Sequence, residues 1–554
     1  MNGISLLLVS TGVLGLAYVL YGRWLAGKWG VNPDNPTPAH IMEDGVDYVP
    51  AKRGVVFGHQ FASIAGAGPI NGPIIAAMFG WLPVLLWILV GGIFFGAVQD
   101  FAALYASVKN NGRTIGHIIE LYIGKTGKRL FLVFTWLFSI LVVAAFADIV
   151  AVTFNGYSAD GLPVAANASV AATSILFIFA AVGLGFYLTK RKPGGWLSAC
   201  VAVVVLAACI AAGLALPLYA GKTFWLYFIF AYIFIASVTP VWVLLQPRDY
   251  LNSFLLILMI IAAFLGVLFA NPNMNLPAYS GFTVKGMHLF PILFVTVACG
   301  AVSGFHSLVA SGTASKQISD ERDMLPIGFG AMLLECLLAV IALIAVGALA
   351  VGGALPSGSP PVVFASAIAG FLSSFGIPYD MIYTLITLAV SAFALTSLDS
   401  VARVGRLAFQ ELFLDSDGES KKPGPALRLL TNRYFATFAT LIMGYLLALR
   451  GYQDIWPLFG SANQLLAALS LIACAVFLKR TNREGAMLYI PMLAMLAITF
   501  TALILGILGM AAKIADGSFR AVTDGLPLVF AVLLLCLGVL VAVSGVRRLG
   551  KAAV

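Results

Sequence analysis

Apolar residues run through this chain in blocks of about twenty, parted by short segments that carry most of the charge. Wound as a helix, such a block crosses a hydrocarbon core of about 30 Å. The pattern predicts an all-α polytopic membrane protein with about fifteen spans. They fall at 4–22, 55–80, 82–108, 130–154, 167–188, 195–219, 225–245, 251–270, 288–312, 328–354, 380–398, 432–449, 453–478, 486–511 and 525–546. The shorter apolar stretch 362–375 reads as a re-entrant or interfacial helix. The first run, Ile4 to Leu20, lacks the basic start and small-residue cleavage site of a signal peptide and is read as a retained helix.

Charge placement tests this count. With the N-terminus outside, 27 of the 32 Lys and Arg fall in inner segments, leaving only Lys222, Lys285, Arg450, Lys513 and Arg520 outside. That asymmetry obeys the positive-inside rule, and a misplaced span in mid-chain would scramble it. The expected location is a bacterial inner membrane, multi-pass, with the C-terminus inside. The longest inner loop, about 399–431, contains the polar stretch Asp415 to Pro423.

Composition agrees: 61% of residues are hydrophobic and 10% charged, against about 25% charged in a soluble domain. The net charge of +9 is dispersed among loops, which argues for topology and lipid contact rather than nucleic acid. Cys200, Cys209, Cys299, Cys336, Cys474 and Cys536 lie in apolar runs without metal or disulfide spacing.

The span beginning at Phe57 is a poor continuous helix. FGHQFASIAGAGPINGP (57–73) holds Pro69, Pro73 and several glycines. Broken helices survive in a membrane where they line a protein or watery cavity, and their free carbonyls and half-helix ends bind ions and anions. A simple packing kink is the alternative. Five spans later, Pro240 and Pro247 interrupt another span. Spans 2–6 and 7–11 then form two sets of five with opposite orientation, which is the arrangement of an inverted repeat. The domains follow: 1–54, an extra helix and inner loop; 55–224, the first five-helix repeat; 225–400, the inverted second; 401–554, an inner loop and four peripheral helices.

FGHQFASIAGAGPINGP (57–73), PVWVLLQPRDYLNS (240–253), SGFHSLVASGTASKQ (303–317) and LTSLDSVARVGR (395–406) together resemble the carbon starvation CstA family. The resemblance covers most of spans 2–11. It implies a LeuT-like core of two inverted five-helix repeats and transport of short peptides or pyruvate, in some members coupled to protons. Gln60 stands where many members carry a second histidine, so a coupling role built on a histidine pair is not implied.

Polar groups in the broken spans are candidate substrate contacts: Ser63, Gly66, Ala67, Gly68, Asn71, Ser237, Thr239 and His306. They offer hydrogen bonds to an amide or small carboxylate. Trp242 and Phe305 are candidates for shaping the cavity. His59 and His306 can carry a proton or bind a carboxylate, or can serve as packing histidines. Asp148 and Glu335 are intramembrane acids and candidate ion-coupling groups, with Asp148 near an outer, wet end and Glu335 within reach of an inner-loop arginine. Asp100 and Asp399, at inner helix ends, are expected to pair with Arg113, Arg403 or Arg406, and Arg248 with Asp249 to form an inner gate or cap. Ser303, Ser307 and Ser311 recur every four residues and so share one helix face. The LeuT-like resemblance makes Ser307 and Ser311 sodium ligands, with carbonyls at Ala65 and Gly68; small-residue packing explains the same pattern.

No phosphate-binding loop, dinucleotide fingerprint or metal-ligand cluster occurs, so no cofactor is expected and the coupling ion is a proton or sodium. The expected function is an ion-coupled symporter importing short peptides or small carboxylates, not an enzyme. The alternative is a membrane sensor or channel without concentrative transport.

Overall fold

In hydrocarbon a backbone must pair its own donors and acceptors, so apolar blocks become helices. The computed structural model describes residues 2–45, 47–158, 160–191, 195–239, 244–413 and 425–551. Its principal helices are α1 (Gly3–Trp29), α2 (Arg53–Ile64), α3 (Gly68–Phe79), α4 (Trp81–Lys109), α5 (Lys125–Phe154) and α6 (Ala165–Arg191). Next come α7 (Gly195–Ala215), α8 (Lys222–Val238), α9 (Leu245–Ala270), α10 (Leu289–Val297), α11 (Gly304–Gly312) and α12 (Glu321–Leu349). The last six are α13 (Pro360–Ser373), α14 (Tyr379–Leu412), α15 (Arg433–Ala448), α16 (Tyr452–Arg480), α17 (Ala486–Ala515) and α18 (Ala521–Lys551). A two-residue β-hairpin, Thr283–Val284 with Met287–His288, joins α9 to α10.

Among the described residues, twelve helical segments are long and apolar enough to cross a membrane, thirteen when α2 and α3 count as one bent span. The expected spans 225–245 and 432–449 fall on α8 and α15, of 17 and 16 residues. By length and composition alone, twelve or thirteen crossings stand among the described residues, with α8 and α15 as shorter apolar helices beside them. The expected re-entrant stretch is α13, a 14-residue helix opened by Pro360 and Pro361.

Two expectations about continuity change. The span expected at 288–312 is interrupted: α10 ends at Val297, a short turn covers Ala298–Gly300, and α11 starts at Gly304. The helix expected as a peripheral addition at 453–478 is α16, whose apolar stretch is entirely buried. It packs against α4, α5, α10 and α11, while α5 and α14 run along each other through the interior.

Candidate functional site

The first break lies where the sequence places it. α2 ends at Ile64, Ala65 leaves the helical region with ψ 59°, and α3 starts at Gly68 with Pro69 in its first turn. The two halves are bent by 44°. Proline at the start of α3 costs no hydrogen bond, because the first amides of a helix are unpaired anyway. Ala65 and Gly66 carbonyls accept no hydrogen bond among the described residues.

The second break is between α10 and α11. Ala298 has φ 29°, Ser303 is extended, and neither continues a helix. The interrupting residues include no proline. What holds them is Asn463 of α16. Its Oδ1 accepts from Phe305 N at 3.1 Å and from Ser303 Oγ at 3.2 Å, and its Nδ2 reaches Cys299 Sγ at 3.3 Å. Trp456 Nε1 donates to Thr296 O and Gln464 Nε2 to Phe294 O, at 3.0 and 2.7 Å. Three side chains of one buried helix thus satisfy backbone and hydroxyl groups that the break leaves without helical partners.

The two breaks face each other at glycine positions. A Cβ on Gly68 would lie 2.6 Å from Cys299 Cβ and Sγ; one on Gly72 would lie 2.7 Å from the carbonyl oxygens of Thr296 and Val297. Only a residue without a side chain permits that approach. On another side, a Cβ at Gly66 would lie 2.7 Å from Ser397 Oγ of α14. Ile64, Gly66, Gly68, Phe138, Phe146, Cys299, Phe305, Phe459, Ser397 and Asn463 belong to the lining of a void of about 10 Å³ at this junction, close to the space one water needs. Ser397 Oγ has no hydrogen-bond partner among the described residues, and neither do both amide atoms of buried Gln60 and Asn71. A buried group left unpaired costs about 1–3 kcal/mol, so Ser397 Oγ at the edge of the void is a group that a bound molecule can satisfy.

Beside the second break lies a buried ionisable cluster. His306 Nδ1 is 2.7 Å from Asp100 Oδ2 of α4, and Nε2 is 3.3 Å from Glu335 Oε2 of α12. All three side chains have 0% exposure. Asp100 therefore pairs with His306 rather than an arginine, and Glu335 meets the same histidine rather than a loop arginine. Each partner sits on a different span, so no short-range pattern announces the cluster.

The other predicted residues divide. Gly66 and Gly68 line the void, Ala67 lies between them, and Ser63 Oγ donates to His59 O at 2.8 Å. His59 Nε2 meets Thr313 Oγ1 at 3.2 Å, at the far end of α11 from His306. Ser307 pairs with Gly304 O and Ser470 Oγ; Ser311 donates to Ser307 O and accepts from Ile115 N. Ser303 precedes α11, so only Ser307 and Ser311 keep the expected shared helical face. Ser237 and Thr239 sit at the end of α8 and do not line the void; Arg403 Nη2 donates to Ala236 O and Thr239 O, and Arg406 Nη1 to Ser237 O. Asp148 is buried rather than wet: it pairs with Lys222 at 2.7 Å and accepts from Tyr452 N at 2.8 Å. Asp399 pairs with Arg248, not with Arg403 or Arg406, and accepts from Tyr232 Oη at 2.8 Å. Pro240 and Trp242 lie outside the described residues. Sequence reasoning left Asp100 out of the site and missed Cys299, Ser397 and Asn463 altogether. Cys299 and Asn463 lie outside the recognised blocks; Ser397 lies in LTSLDSVARVGR without distinguishing chemistry of its own.

A bundle of apolar helices, two of its spans broken against each other around a small void, defines a multi-pass membrane protein. The chain belongs to the carbon starvation protein CstA family, whose model matches residues 2–361 and 354–502. It is 34% identical to a peptide transporter CstA of Bacillus subtilis, over 85% of this chain and 84% of that one. It is 32% identical to the pyruvate/proton symporter BtsT of Escherichia coli, over 87% and 78%. Among solved structures, an Eremococcus coleocola manganese transporter aligns over 92% of this chain and 99% of its own at 11% identity, with a TM-score of 0.49.

Proposed function

We propose that this protein is an ion-coupled symporter that imports short peptides or small carboxylates such as pyruvate by alternating access. The observation that carries the reading is the pair of facing breaks, α2/α3 and α10/α11, around a void with the unpaired Ser397 Oγ at its edge. The relatives' names supply the cargo classes. In this reading Ser397, Asn463 and the carbonyls of Ala65 and Gly66 hold cargo, with Asn71 and Gln60 offering further amide bonds. The void holds about one water, so cargo enters only when the half-helices part.

The same reading takes 55–224 and 225–400 as inverted five-helix repeats of a LeuT-like core in an inner membrane, N-terminus outside. The proposed sodium set of Ser307, Ser311, Ala65 and Gly68 draws less support than a proton, since Ser311 Oγ already accepts from Ile115 N and Ser307 Oγ is paired with Ser470 Oγ. Purified protein in proteoliposomes, given labelled pyruvate or dialanine under separate proton and sodium gradients, tests the reading. A symporter accumulates one of these cargoes above equilibrium and loses the accumulation when its gradient is collapsed. A sensor or channel never exceeds equilibrium.

A further inference from the structure

Asp100, His306 and Glu335 come from three different helices and meet at 0% exposure. Charge counting limits their states. With both ring nitrogens of His306 protonated and both acids ionised, the cluster stands at net −1. A further proton brings it to zero. An uncompensated charge away from water is expensive, so the further proton has a strong reason to bind. Glu335 is the place for it, because neither of its oxygens has a hydrogen-bond partner among the described residues.

Glu335 stands on α12, whose main neighbours, α3, α13 and the Gly3–Leu16 part of α1, carry no titratable side chain. The helices packed on α11 are α4, α16 and α2, with the turn Ala314–Lys316 and the short helix Ile115–Tyr122. α4 supplies Asp100; α16 presents Asn463 and Ser470, which do not titrate. His59 of α2 is engaged with Thr313 at the opposite end of α11, Lys316 follows that end, and the short helix carries His117 and Glu120. The thiols of Cys299 and Cys336 neighbour Glu335. Hydrogen bonds also join the cluster to the void. Gln99, its amide turned to donate, reaches both Asp100 Oδ1 and Ser303 O at 2.9 Å. Asn463 lines the void and grips Ser303 and Phe305, the residue before His306.

Resting on the symport reading above, we infer that Asp100, His306 and Glu335 form the coupling-proton site, and that Gln99, Ser303 and Asn463 report to it whether the void is filled. The step is a proton association. A lone pair on Glu335 takes a proton from hydronium in the water on the proton-rich side, the hydronium O–H bond breaking as the carboxyl O–H forms, and the cluster goes from −1 to zero; release to water on the other side reverses it. Cargo that draws Asn463 or Ser303 out of their present bonds shifts the first turn of α11, and with it the spacing of His306 from its two acids.

Two measurements separate this site from the transport reading. Infrared titration of the purified protein is expected to show a carboxyl C=O band in wild type that Glu335→Gln removes. Absence of any band removed by that change overturns the inference, whatever is transported. In proteoliposomes loaded with labelled pyruvate or dialanine, Glu335→Gln is expected to lose proton-driven accumulation by about tenfold or more while retaining cargo counterflow, which becomes independent of pH. Proton-driven accumulation at the wild-type level in Glu335→Gln overturns it. If Glu335→Gln loses counterflow as well, Glu335→Asp decides: recovery of driven uptake supports the site, and its failure in a monodisperse protein refutes it. A wild type that shows the infrared band but accumulates neither cargo keeps the proton site and sinks the symport reading instead.

Discussion

Arg248 and Asp399 form an ion pair sealed inside the bundle, linking the start of α9 to the middle of α14. Tyr232 of α8 completes it, donating to Asp399 at 2.8 Å, and Asp249 lies 3.6 Å from the guanidinium. Removing one partner of a buried pair strands the other charge, at about 3–5 kcal/mol. Arg248→Leu and Asp399→Leu are each expected to lower thermal stability in detergent strongly. The double variant should be more stable than either single one, because it strands neither partner. Additive losses in a double-mutant cycle would show that the two residues do not depend on each other.

Gly68 presses on Cys299, leaving no room for a methyl group. Gly68→Ala is expected to cost about 1–3 kcal/mol through overpacking and to reduce uptake, and Gly68→Leu to abolish it. Cys299→Gly in the Gly68→Ala background should recover most of the loss. Unimpaired uptake by Gly68→Leu would remove the first break from the site.

Asn463 satisfies Ser303 Oγ and Phe305 N together. Asn463→Ala orphans both, at about 1–3 kcal/mol each. Asn463→Asp keeps the acceptor and should retain more stability than Asn463→Ala. Unfolding of the purified variants followed by tryptophan fluorescence distinguishes these, and equal stability of the two would argue against the acceptor's role.

Asp148 is matched by Lys222 and by the Tyr452 amide, and it lies on neither break. Asp148→Asn is therefore expected to keep gradient-driven uptake and to lose some stability through its pairing with Lys222. Loss of coupling with intact counterflow would instead return Asp148 to the ion path.

The legible parts of this fold follow from local chemistry. Apolar block length announced the spans, and Pro69, Pro73 and their glycines announced the first break. The second break has no such punctuation: residues 298–303 hold one glycine and no proline. Its irregular backbone is held from outside by Asn463, Gln464 and Trp456, on a helix more than 150 residues away. Asp100 and Glu335 likewise gain their meaning only from His306, on a third helix. Their separation of 206 residues in one case hides the pairing from any reading by spacing. Arg403 and Arg406 looked like partners for Asp399, but their guanidinium groups cap the exposed carbonyls of α8.

Gly72 packs its Cα against the main chain of Thr296 and Val297, with no side chain in between. A contact of that kind has no rotamer to absorb displacement. Tilting α3 must carry the end of α10 along or tear the two apart, so they behave like meshed gear teeth rather than greased plates. A drug or crosslink that wedges this seam would hold α3 and the end of α10 in one relative position.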